Sequence, residues 1–235
     1  MLGKIKQYIP NIFKTVYFNF KFLPFGEAIY LPILVDRRTA IIKKSTGKIT
    51  IEDKSAYHKI YIGFPCLKDT DKKNERTVIC INGHLCFQGQ AFVANGVKLQ
   101  IEKEGTLILG SNFNSTGKAE IICAKKIEFK KECTISWDVL IMDTDSHSIF
   151  DSHCVLTNPN KEILIGEGCW IGCRTTILKG TSIADHVVVA SCANVTKSIS
   201  TSNVIVGGNP AKIMKENVQW ALQPPEEYRY YENII

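Results

Sequence analysis

Ile165, Ile171, Ile177, Ile183, Val189 and Val195 place a β-branched aliphatic residue at every sixth position without a slip. A period of six suits neither an amphipathic helix, at about 3.6 residues, nor a single long strand, at about 2. It suits a solenoid in which each face of a coil supplies one short strand and one turn. Three faces close a coil of about eighteen residues, and neighbouring coils stack at the strand spacing of about 4.8 Å. The aliphatic residue then points inward onto its equivalents above and below. The position after it is small (Gly166, Gly172, Ala184, Ala190, and Ser136 upstream), as a tight corner requires. The fifth position, Cys169, Thr175, Thr181, Val187 and Ala193, also faces inward.

An apolar fraction of 45% over 235 residues is enough for one continuous core. The 29 Lys and Arg exceed the 23 Asp and Glu, a net charge of +6. They are scattered, and the pairs beginning at Lys43, Lys72, Lys125 and Lys130 read as solvated turns, so no nucleic-acid stripe is expected. Nine cysteines occur with no C-x-x-C pair, which points to reduced thiols and a cytoplasmic location. Cys133 and Cys169 fall where the repeat wants a small apolar side chain, a packing role. There is no signal-peptide pattern and no apolar run near 18 residues. The basic, aromatic stretch KTVYFNFKFLPFGEAIYLPILV is read chiefly as packing against the solenoid end or a neighbouring subunit; contact with a membrane surface is the weaker reading.

The expected architecture is an all-β solenoid in three parts. Residues 1–47 form an N-terminal segment, with a helix over 4–20 and an extended packing arm, because the residues before Pro24 and Pro32 are pushed out of the α region. Residues 48–215 form the β-helix. Residues 216–235 form a helix, KENVQWAL, and a tail that cap the open core. Ile135 and Ile141 share the frame of Ile165, and residues 143–163 between them break it. A loop pushed out of a regular coil is where a solenoid carries function.

The stretch Ile135–Trp220 resembles the hexapeptide-repeat acyltransferases, and within them the maltose/galactoside acetyltransferase-like branch that includes polysaccharide O-acetyltransferases. ISWDVLIMDTDSHSI, IGEGCWIGCRTTILKGTSI, VVVASCANVTK and VGGNPAKIMK carry the resemblance. It implies a left-handed parallel β-helix, a homotrimer with sites between subunits, acetyl-CoA as donor, no metal, and a sugar hydroxyl as acceptor, on a cell-surface polysaccharide or its precursor. His147 sits where the family keeps its catalytic histidine. An imidazole, whose ordinary pKa is about 6.5, can take the proton of a hydroxyl as it attacks a thioester. Asp145 is expected to orient that imidazole and Asp143 to hold a sugar hydroxyl. Trp137 supplies an acceptor wall or else packs in the core or between subunits. The match carries cofactor contacts onto Cys173, Ser191, Thr196, Lys197 and Lys215, the two lysines meeting the nucleotide phosphates. The chain departs from the family at Ser191 and Cys192, which are bulkier than the usual small pair.

Other readings stand beside this one. A xenobiotic or sugar-nucleotide N-acetyltransferase shares the hexads and a loop histidine. A γ-carbonic-anhydrase-like enzyme needs three histidines around zinc, whereas only His147 and His153 are close. A non-catalytic β-helix binding protein explains the hexads but not the motifs.

Overall fold

The computed structural model describes residues 9–66 and 74–222. From Ile33 the chain winds as a left-handed parallel β-helix, each strand passing to the next of three sheets, here called faces I, II and III in chain order. Face I holds nine of the described strands, face II seven and face III six.

The aliphatic columns form as the hexad requires. Ile135, Ile171, Val189 and Val206 are in register on face I. Ile141, Ile177 and Val195 align on face II, and Phe129, Ile165 and Ile183 on face III. All of these side chains are buried, as are Cys169, Thr175, Thr181, Val187 and Ala193 at the fifth position. The corners are tight: a Cβ on Gly172 would lie 2.7 Å from the Ser191 nitrogen and the Val189 oxygen of the next coil. Burial pushes the Cys123 thiol up to about 12 and the Cys169 thiol up to about 11, and it raises Cys133 as well. These thiols pack rather than react, as the sequence suggested for Cys133 and Cys169.

The solenoid begins at Ile33, earlier than the expected residue 48. Ile33–Val35 pairs in parallel with Ile60–Ile62, and Ala40–Ile41 pairs with Val78–Ile79. The first coils carry long turns, so no six-residue beat marks them. The expected helix over 4–20 is found as α1, Ile12–Phe22; residues 4–8 lie outside the described residues. Asn11 caps it by accepting from the Lys14 N–H at 3.0 Å. The helix is pinned across the open edge of the first strand. Buried Asn19 accepts from the Ile33 N–H and donates to the Ile33 carbonyl, and the Thr15 hydroxyl accepts from the Val35 N–H. These bonds satisfy backbone groups that a sheet edge would otherwise leave open.

The expected C-terminal capping helix is absent from the described residues. Lys212–Lys215 instead forms a strand antiparallel to Ile205–Gly207. Beyond it the described chain is neither helix nor strand. The Val218 N–H bonds the Asn203 carbonyl, the Trp220 indole N–H bonds the Gly168 carbonyl at 2.6 Å, and its rings lie 5.7 Å from those of Trp170. Tertiary contacts have overridden helix propensity there. Residues 223–235 of the expected helix and tail lie outside the described residues.

Candidate active site

Ile141 and Ile165 are twenty-four residues apart, whereas Ile177 and Ile183, which stack on them, are six apart. One coil's worth of chain is thus ejected at the corner between faces II and III without a change of frame. The ejected segment is a hairpin. Phe150 bridges Leu156 in antiparallel fashion, the Asp151 N–H bonds the Val155 carbonyl, and the Thr157 N–H bonds the Ile149 carbonyl. Its base is closed by the Lys161 N–H on the Asp143 carbonyl at 3.1 Å. Ile149, Phe150, Val155 and Leu156 are exposed, so the hairpin offers more apolar surface than its polar sequence suggested.

His147 lies on the outgoing arm with an exposed side chain. What fixes its backbone is Asn158, on the returning arm. The Asn158 amide donates to the His147 carbonyl at 2.8 Å and to the Asp145 carboxylate at 2.7 Å, while its oxygen accepts from the Ile149 N–H at 2.7 Å. Lys179, one coil further on, donates to the Asp145 carboxylate at 2.6 Å and to the Asn158 carbonyl at 2.8 Å. The hydrogen bonds of Asp145 in the described structure therefore run to Lys179 and Asn158, and the carboxylate steadies the loop that carries the histidine. Asn158 and Lys179 were not singled out from the sequence. Eleven and thirty-four residues separate them from the groups they hold. The only sequence signal was that Asn158 sits at the loop's return and Lys179 in the third hexad after it.

Asp143 has a different role from the one expected. It is fully buried, and its carboxylate accepts from the backbone N–H groups of Ala124 at 2.6 Å and Lys125 at 2.8 Å. It closes the turn of the coil below, and no oxygen is left to face a sugar.

The Lys179 ammonium and the Asn158 amide hold the Asp145 carboxyl below the usual carboxylate range. The tether is therefore fully formed at neutral pH and is lost only as pH falls through that lowered value. Lys179→Met removes it at any pH. Because the pair is partly exposed, the melting temperature is expected to change little. Turnover is expected to fall about tenfold, and proteolysis within residues 144–158 to speed up. Steady-state kinetics and a timed digest check both outcomes; unchanged kinetics would remove Lys179 from the site.

The remaining candidates fall at three places. Trp137, Cys173 and Ser191 are equivalent residues of three successive coils at the corner between faces I and II, because Ile135, Ile171 and Val189 are in register two places before them. Trp137 and Ser191 are exposed and Cys173 is partly so; the Cys173 thiol donates to the Ser191 hydroxyl at 3.3 Å. Thr196 and Lys197 follow Val195 to the corner between faces II and III, two coils beyond the hairpin, and both are exposed. Lys215 is exposed and pairs with Ile205 at the edge of face I, so it does not share a corner with Lys197. One chain thus brings Thr196 and Lys197 to the corner of His147 and leaves Trp137, Cys173 and Ser191 across face II. Among the described residues no three His, Cys, Asp or Glu side chains converge as a metal site would need. A groove of about 680 Å³ crosses face I, lined by Tyr61, Phe92, Asn114 and Trp220 among others. It shares no residue with the hairpin, although the exposed His186 lies on its wall.

Residues 162–197 match the family model described as bacterial transferase hexapeptide (six repeats). The chain is 31% identical over 136 residues to a polysialic acid O-acetyltransferase of Escherichia coli O1:K1 / APEC, an overlap of 57% of this chain and 41% of that protein. It thus spans less than half of that relative's length. It is 30% identical over 156 residues to an uncharacterized 24.8 kDa protein in the cps region of Klebsiella pneumoniae, covering 66% of this chain and 69% of that one. Among solved structures, the polySia-specific acetyltransferase NeuO superposes with a TM-score of 0.57 at 24% identity, over 83% of this chain and 81% of that chain. That likeness is one of fold.

Proposed function

This chain belongs to the hexapeptide-repeat acyltransferases, and from that premise we propose that it transfers an acetyl group from acetyl-CoA to a hydroxyl of a cell-surface polysaccharide or its precursor. The observation that carries the reading is the exposed His147 on a hairpin braced by Asn158, Asp145 and Lys179. The likeness to a polysialic acid O-acetyltransferase of Escherichia coli supports a sugar-polymer acceptor.

In the proposed step the acceptor hydroxyl oxygen bonds the thioester carbonyl carbon while His147 takes the hydroxyl proton. The tetrahedral adduct collapses, the carbon–sulfur bond breaks, and the imidazolium returns its proton to the departing sulfur. No acyl-enzyme is needed. Thr196 and Lys197, at the same corner as the hairpin, are assigned to the donor, with Lys197 toward its phosphates. Cys173 and Ser191 would line the thioester arm and Trp137 the acceptor; Lys215 is assigned to a phosphate. Because Thr196 and Lys197 lie at one corner of face II and Trp137, Cys173 and Ser191 at the other, one site needs the corner of one subunit set against the hairpin corner of the next. A homotrimer with face II turned inward provides that. The apolar hairpin side chains Phe150 and Leu156 then become contacts between subunits.

The test is thiol release from acetyl-CoA in the presence of cell-surface glycans and their precursors. Release that depends on a glycan, with an alkali-labile ester as product, is the expected outcome. An alkali-stable amide product would assign the chain to N-acetylation, and no acceptor-dependent release with any glycan would sink the proposal.

A further inference from the structure

Helix α1 is apolar on both sides. Its inner side, Phe18 and Phe22 with Thr15 and Asn19, is buried. Its outer side carries Phe13, Tyr17 and Phe20, at spacings that put them on one stripe, with Ile12 and Val16 beside them. Phe13 is 83% exposed, and the stripe runs on through Phe25, 75% exposed, to Ile29 and Tyr30. A helix apolar all round is ordinarily buried, and a contiguous exposed apolar patch marks a place of contact.

The rim of the patch is cationic. The Lys14 ammonium bonds the Thr39 carbonyl, which brings the turn bearing Arg37 and Arg38 against the first half of the helix. The Lys21 ammonium bonds the Lys43 carbonyl, which brings Lys43 and Lys44 against the second half. Arg37, Lys43 and Lys44 are exposed. Between residues 9 and 48 the bases are Lys14, Lys21, Arg37, Arg38, Lys43, Lys44 and Lys48, and the acids are Glu27 and Asp36. Five of the chain's six net positive charges therefore belong to this end.

We propose that this end of the solenoid docks on the surface of an anionic phospholipid bilayer. The aromatic stripe enters the headgroup region, and the two basic turns meet the lipid phosphates. The proposed contact is interfacial: α1 is eleven residues long, and no helix of the described residues is long and apolar enough to cross a membrane. The inference stands independently of acetyl transfer, because it uses no residue of the candidate site.

Flotation of the full chain with vesicles tests it. With vesicles of phosphatidylcholine and phosphatidylglycerol in equal parts the chain is expected to float, and with phosphatidylcholine alone to bind at least about tenfold more weakly. Raising the salt should release it. Lys43→Glu with Lys44→Glu should weaken binding by at least about tenfold while leaving the melting temperature unchanged. Phe13→Ser with Phe20→Ser should do the same; if that variant fails to fold, the charge-reversed variant and the salt dependence decide. No flotation, equal binding to both vesicles, or full binding by the charge-reversed variant would overturn the proposal. So would a fall in oligomeric mass in the Phe13→Ser, Phe20→Ser variant without loss of lipid binding, which would make the stripe a subunit interface.

Discussion

His147→Ala is expected to lower acetyl transfer by about 10²- to 10⁴-fold, the range a positioned general base supplies. The melting temperature and the affinity for acetyl-CoA should stay near those of the unaltered chain. The side chain is exposed and no core residue leans on it. The loop that carries it is held through the His147 backbone carbonyl, which alanine retains. A loss confined to kcat identifies a group that acts on the reacting atoms rather than one that builds the site. Isothermal titration with acetyl-CoA and a thiol-release assay separate the two quantities. Transfer at the unaltered rate would remove His147 from the mechanism and move the search to the groove on face I. His153, on the same hairpin, is the matched control, and His153→Ala is expected to retain most activity.

The largest loss of stability is expected from Ile177→Asp. Ile177 is fully buried between Ile141 and Val195 on face II. The change forfeits about 1.5–3 kcal/mol of side-chain burial. It also sets a carboxyl in a column of aliphatic groups with no hydrogen-bond partner, which costs several kcal/mol whether the group is charged or neutralised. Against a total stability of about 5–15 kcal/mol that is enough to abolish folding. The variant is expected to be insoluble or to show no cooperative melt by circular dichroism, whereas Ile177→Val should cost only about 0.5–1.5 kcal/mol. A normal melt for the aspartate variant would mean that the six-residue columns do not carry the core.

Where the hexads run strictly, the fold was legible, because each coil from Ile165 to Val195 spends six residues on each face. Before Ile135 the face I strands begin at Ile33, Ile60, Ala91 and Phe113, at unequal intervals, so burial persisted while the period did not. The solenoid therefore starts well before the first six-residue beat. The C-terminal segment was misread for another reason. Its helical pattern is local, while the bonds that decide its path, from Trp220 to Gly168 and from Val218 to Asn203, are not. At the site, proximity in sequence misled at Asp143, whose side chain turns down to the coil below although its neighbour Asp145 lies exposed in the loop. Asn158 and Lys179 escaped notice because a brace between hairpin arms and a neighbouring coil exists only once the chain is wound.

The hairpin's length has a consequence for how such a chain can change. Its eighteen extra residues return the strand to Ile165 in the same phase in which it left Ile141, with the base fastened by one backbone bond from Lys161 to Asp143. Selection can therefore rewrite the hairpin, residue by residue or as a whole, without re-indexing the columns on either side. The loop sequence and the integrity of the scaffold are thus written in separable stretches, and the coils beneath keep their register whatever the hairpin becomes.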